Sequence, residues 1–165
     1  MRSFRTAFMS VILSTLSNPL YAADINIDGA WVAEAPPMAA VMAGYMSISN
    51  QGKNDLKVLH ISSPQFKTVE LHEMITEANG MMSMRPISHL EIKAGAKVSL
   101  APGGYHLMLY KPEKRFVQGD KLVLKFVFSD NTSVDVQAEV RKKTAKATEH
   151  NQDQMKHDNM DHNKH

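Results

Sequence analysis

Leu71-His72-Glu73-Met74, Gly80-Met81-Met82-Ser83-Met84-Arg85-Pro86 and Gly103-Gly104-Tyr105-His106-Leu107-Met108-Leu109-Tyr110 are the runs on which the reading of this chain turns. In a β-strand, residues i and i+2 share a face. His106 and Met108 therefore project together, with Leu107 and Leu109 on the opposite, core-facing side. The runs before and after Gly80 read as a hairpin turned at Glu77-Ala78-Asn79-Gly80, which returns Met84 towards His72. With the His106 strand packed alongside, two imidazoles and two thioethers converge. A donor set with two thioethers and no carboxylate selects Cu(I) over Zn, Mg or Ca. Methionine also fills irregular gaps in cores. Two such clusters, each bounded by glycine turns, leave packing and metal binding evenly matched on spacing alone.

The same alternation extends in both directions. Ile25 to Ala33 reads as a first strand with Trp31 as its core anchor, broken by Glu34-Ala35-Pro36-Pro37. Gly44 to Ser49 is a strand that buries Met46; Met38 and Met42 fall on the preceding loop, where they either border a metal site or pack the loop. Asn50 to Asp55 is a turn cluster, and Leu56 to Ser62 a strand in which His60 is structural or exposed. Lys67 to Met74 and Gly80 to Ile87 form the hairpin. Glu70 and Glu73 flank His72; either orients the imidazole as an acceptor or simply faces solvent. Lys97 to Leu100 is short, and Pro102-Gly103-Gly104 launches the His106 strand. Leu122 to Ser129 and Thr132 to Val140 pair through Asp130-Asn131. Many short strands between turns, with no comparable helical period, predict an all-β sandwich.

The ends differ in character. Arg2 and Arg5 precede a short apolar run from Ala7 to Leu16, and Leu20-Tyr21-Ala22 offers a cleavage site, so residues 1–23 read as an export signal to a bacterial periplasm. The apolar run is too short to span a bilayer, and no stable membrane insertion of the mature chain is expected. Residues 24–141 form the folded domain, expected to be monomeric. Residues 142–165 have no apolar periodicity and read as a disordered tail. His150, Met155, His157, Met160, His162 and His165 mark that tail as a secondary metal-binding tract, with imidazoles suited to Cu(II). The chain has no Cys, which excludes a disulfide framework, a thiolate metal site, a blue-copper carrier and a lipid-bearing thiol. Its formal charge of +2 falls to near zero without the two leader arginines, which excludes a nucleic-acid surface.

From Ile27 to about Val140 the chain resembles the PCu(A)C family of periplasmic copper chaperones. The matching residues are Ala30-Trp31-Val32, Gly44-Tyr45-Met46, Ser49-Asn50, Val69 to Met74, Met82 to Pro86, Leu100 to Leu109 and Gly119-Asp120, with the strand Leu122 to Phe128. The resemblance implies a cupredoxin-like β-sandwich and a Cu(I) site of two His and two Met. Carried over by position, the ligands are His72, Met84, His106 and Met108. The family usually has one residue fewer between the first His and the first ligand Met. Here the extra residue fits the turn at Ala78-Asn79; Met82, which shares the face of Met84, and then Met81 are the alternatives.

The resemblance further implies delivery of Cu(I) to a copper-accepting protein, such as a cytochrome c oxidase subunit or another copper chaperone. Copper storage by sequestration uses the same ligands without a dedicated acceptor. A β-sandwich module with a Met-rich protein-binding face is the reading from another class. No nucleophile motif or paired-carboxylate signature supports an enzyme.

Overall fold

The computed structural model describes residues 24–143, in which the alternating runs become ten strands. They are β1 (Ile25–Ala33), β2 (Val41–Asn50), β3 (Leu56–Ser62), β4 (Phe66–Thr76), β5 (Met82–Pro86), β6 (Leu90–Ile92), β7 (Lys97–Leu100), β8 (His106–Pro112), β9 (Lys121–Phe128) and β10 (Ser133–Arg141). The leader and the tail ligands His150, Met155, His157, Met160, His162 and His165 lie outside the described residues.

One continuous ladder runs β5-β4-β8-β2-β1-β10-β9-β3-β6, with β7 also on β2. Every pairing is antiparallel except β1 with β10. The ladder wraps into a cupredoxin-like sandwich. Leu71, Leu107, Leu109 and Ile48 from one half share a single buried cluster with Leu122, Leu124, Phe126 and Phe128 from the other. β9 illustrates the rule that produces this: Leu122, Leu124, Phe126 and Phe128 are fully buried, while the residues between them are exposed or half-buried.

Two sequence expectations change. Trp31 is half-buried rather than a core anchor. A bulge between Asp28 and Trp31, with Gly29 at φ 62°, shifts the register against β2 by one residue. Ile25 and Ile27 point inward before the bulge, and Ala30 and Val32 after it. Trp31 thus lands on the outer face, where its ring meets Tyr45 at a 4.6 Å centroid separation. Met42 is not on a loop: β2 begins at Val41, and Met42 is 4% exposed within the core. Met38 sits fully exposed at a left-handed turn residue (φ 70°), near the end of β8 remote from His106. Neither borders the histidines.

β7 and β8 lie in one line along β2. β8 pairs with Val41–Gly44, β7 with Met46–Ser49, and Ala101–Tyr105 forms the excursion between them. That excursion stands beside β4, where the Met74 amide donates to the Gly104 carbonyl at 3.3 Å.

Leu107, fully buried between His106 and Met108, separates packing from site chemistry. Leu107→Ala is expected to cost about 2–5 kcal/mol in urea unfolding. Leu59→Ala, on a side chain 52% exposed, should stay within about 0.5 kcal/mol of the parent.

Candidate metal centre

The buried pair Leu71↔Leu107 sets the rungs around it. His72 faces His106 on the next rung, and Glu70 faces Met108 on the rung before. Directly opposed residues share a face, so both histidines, Glu70 and Met108 stand together opposite the core. The two rings have centroids 5.9 Å apart at 38°. Each histidine is only 6% exposed, so the pair is sunk in the surface rather than displayed on it.

The ring nitrogens are differentiated by their partners. His106 Nδ1 lies 2.9 Å from the Gly104 carbonyl, which only accepts, so Nδ1 carries the proton and Nε2 keeps its lone pair. His72 Nε2 lies 2.9 Å from Glu70 Oε2, so that nitrogen donates and Nδ1 keeps the lone pair. Among the described residues, His72 Nδ1 is buried without a hydrogen-bond partner. An unmet buried acceptor costs about 1–3 kcal/mol, which a bound cation would offset. Glu70 is thus the orienting carboxylate, the arrangement seen when an imidazole is set up as a ligand. Glu73 turns to the other face and accepts from Arg85 Nε at 2.7 Å. Burial, and then the negative charge of Glu70, holds the Tyr110 hydroxyl above the usual phenol range.

The hairpin closes where the sequence placed it. The Gly80 amide donates to the Glu77 carbonyl, the Glu77 amide to the Met81 carbonyl, and Gly80 has φ 80°. Met84 lies on the face of His72 but two rungs away: it opposes Met74, while Pro86 opposes His72. Met82, opposite Thr76, is two rungs further out on that face, and Met81 belongs to the turn. Met74 is the residue that the site inventory missed. His72-x-Met74 has the spacing of His106-x-Met108, which was the available signal. His60 and His89 are both exposed and line a separate cleft of about 430 Å³ with Ile87 and Glu70. Among the described residues no three His, Cys, Asp or Glu side chains cluster to hold a metal.

Fold and site together define a PCuAC-type β-sandwich. The family model described as "Putative lipoprotein LpqE-like" matches residues 25–140, and the chain belongs to that family of PCu(A)C proteins. It is 30% identical over 118 residues to "Putative lipoprotein Lxx21020" of Leifsonia xyli subsp. xyli, covering 71% of this chain and 69% of that protein. It is 29% identical over 99 residues to "Uncharacterized protein RP573" of Rickettsia prowazekii, covering 59% of this chain and 54% of that one. The copper-bound PCuAC domain from PmoF2 superposes with a TM-score of 0.63 at 22% identity, covering 74% of this chain and 97% of that domain. The Cu(I) form of DR1885 from Deinococcus radiodurans superposes with a TM-score of 0.56 at 28% identity, covering 70% and 76%.

The nitrogen assignment is directly measurable. Long-range nitrogen–proton NMR of the metal-free protein in mildly alkaline solution should show His72 protonated at Nε2 and His106 at Nδ1. Glu70→Ala should release the His72 preference and leave that of His106 unchanged. Identical tautomers for both rings would contradict the assignment.

Proposed function

We propose that this chain is an exported copper chaperone that holds Cu(I) through His72, His106, Met108 and Met84 and passes it to a cuproenzyme. The observation that carries the reading is the His72↔His106 rung, with the buried His72 Nδ1 left without a partner among the described residues and with Met108 two rungs along on the same face. His72 Nδ1, His106 Nε2 and the Met108 sulfur are neutral soft or borderline donors, and Met84, opposite Met74 on the adjoining strand, is assigned as the second thioether. Two thioethers without a coordinating carboxylate favour Cu(I) over harder ions. The copper-bound relatives support the same assignment of cargo. Donors with no charge to neutralise suit hand-over by ligand exchange, and the acceptor we favour is a cytochrome c oxidase copper centre or a second chaperone. Export to the periplasm accords with the lipoprotein name of the family, although this sequence contains no Cys to carry a lipid.

The full chain loaded with Cu(I) should show mixed sulfur and nitrogen scattering by X-ray absorption; ligation by nitrogen alone would remove the thioethers. His106→Ala and Met108→Ala should each weaken binding. Acidification should weaken it too, because protons compete for the two imidazole nitrogens. Met84→Leu should cost more affinity than Met82→Leu, and the reverse order would place the ligand two rungs further out. Transfer to a purified acceptor domain without oxygen separates delivery from storage.

The tail is assigned the role of a collector. Arg141, from which it continues, pairs with Ala33 on β1. Only β1 and β2 separate β10 from β8, a span of roughly 14 Å at the usual strand spacing. A tether that short keeps captured metal at high local concentration near the site. A chain ending at Arg141 should lose most Cu(II) uptake and keep Cu(I) uptake. Equal Cu(II) stoichiometry for both chains would make the tail a solubilising extension.

A further inference from the structure

The hairpin carries more thioethers than the inner site uses. β4 makes its last rung with β8 at His72↔His106 and then continues to Thr76 paired only with β5. The two faces of this overhang differ. One carries Glu73, Arg85 and Ser83, tied by the Arg85–Glu73 contact and by the Ser83 hydroxyl donating to Glu77 at 2.6 Å. The other carries Met74 directly opposite Met84, and Met82 directly opposite Thr76. The Thr76 hydroxyl donates to Met82 Sδ at 3.2 Å, which turns that sulfur across the hairpin rather than out to solvent.

Core packing does not explain these side chains. Met42 and Met46, which do fill the core, are 4% exposed; Met82 and Met84 are 57% and 53% exposed. Long apolar side chains on a protruding hairpin are unfavourable unless they have a function there.

We propose that Met74, Met82 and Met84 form a second, outer site for a soft monovalent ion, Cu(I) or Ag(I), which shares Met84 with the inner site. Opposed Cβ atoms lie about 5 Å apart, and the next position on the same face, two rungs along, is roughly 7 Å away. Three flexible thioethers on that spacing close on one ion. Within this trio there is no carboxylate or imidazole to retain a harder ion. The role in loading, though not the outer site itself, rests on the inner-site reading. Moving inward, Cu(I) keeps its bond to the Met84 sulfur. Its bonds to the Met74 and Met82 sulfurs break as bonds to His72 Nδ1, His106 Nε2 and the Met108 sulfur form. All of these donors are neutral lone pairs, so no proton and no electron is transferred.

The test is methionine oxidation by hydrogen peroxide in the full chain, mapped by mass spectrometry with and without excess Ag(I), a soft ion that peroxide does not oxidise. At roughly ten times its dissociation constant the ion leaves about a tenth of the sites open, so Met74 and Met82 should oxidise about tenfold more slowly. Met38 and Met81, which are 99% and 64% exposed and not part of the trio, should oxidise at unchanged rates. Unaltered oxidation of Met82 overturns the proposal and leaves its exposure to be explained by a protein partner. Protection of Met108 alone would uphold the inner site and remove the outer one; protection of Met74 and Met82 without Met108 would do the opposite. Met82→Leu, on an exposed side chain that the fold tolerates, should remove most of the protection of Met74. Full protection of Met74 in that variant would also overturn the shared site.

Discussion

The rung that pairs His72 with His106 is the constraint on which the site depends. It is set by its neighbours rather than by the histidines themselves. Leu71 and Leu107 bury their side chains on the core face of the preceding rung. A slip of one residue in either strand would turn its leucine outward and drive its imidazole into the core. The register is therefore held by the burial of two leucines, worth about 1.5–3 kcal/mol each. The same force that closes the sandwich brings the rings to a 5.9 Å separation.

Preorganisation extends to single atoms. The Ala101–Tyr105 excursion interrupts the line of β7 and β8 at the rung where β8 begins. Its Gly104 carbonyl then serves twice, accepting from the Met74 amide and from His106 Nδ1. Gly103 at φ 85° permits the turn that presents that carbonyl. Glu70 performs the matching task for His72 from two residues away on its own strand. The rings are consequently held by opposite nitrogens, one by backbone and the other by a carboxylate, which leaves unlike lone pairs for a ligand.

Most of the architecture was legible because alternation is a strong signal wherever one face is buried. The bounds of β1, β3 and β7 and the turn at Gly80 follow from it directly. Trp31 was misplaced because a bulge at Gly29 shifts the alternation by one residue, and the glycine, the one signal of that shift, was read as an ordinary strand residue. Met42 was misplaced because Pro36-Pro37 and Gly44 bracket it, so that the start of β2 resembled a loop. The face shared by His72, Met84, His106 and Met108 follows from i, i+2 spacing and the hairpin. The rung does not: Met84 opposes Met74, a cross-strand register that sequence spacing across a turn leaves open until the turn's hydrogen bonds are known. Choosing Glu70 over Glu73 likewise required knowing which face each occupies.

Depth along this face varies in a consistent direction. Met82 is more than half exposed, Met84 slightly less so, Met74 and Met108 are half-buried, and the two histidines are nearly covered. Donor type changes along the same path, from thioethers alone to imidazoles. A thioether binds Cu(I) without competition from protons, whereas an imidazole must first be free of one. Exposed donors are quick to reach and quick to leave; buried donors in a site of lower dielectric hold more tightly, and desolvation strengthens the interaction of a cation with nearby Glu70. On the proposed path an ion would exchange weak, accessible ligands for stronger, shielded ones in steps of two rungs, each roughly 7 Å. A site buried on all sides would require the sandwich to open for release. A hairpin that overhangs the sheet lets the innermost donors remain fixed by the core while the outermost ones meet a partner.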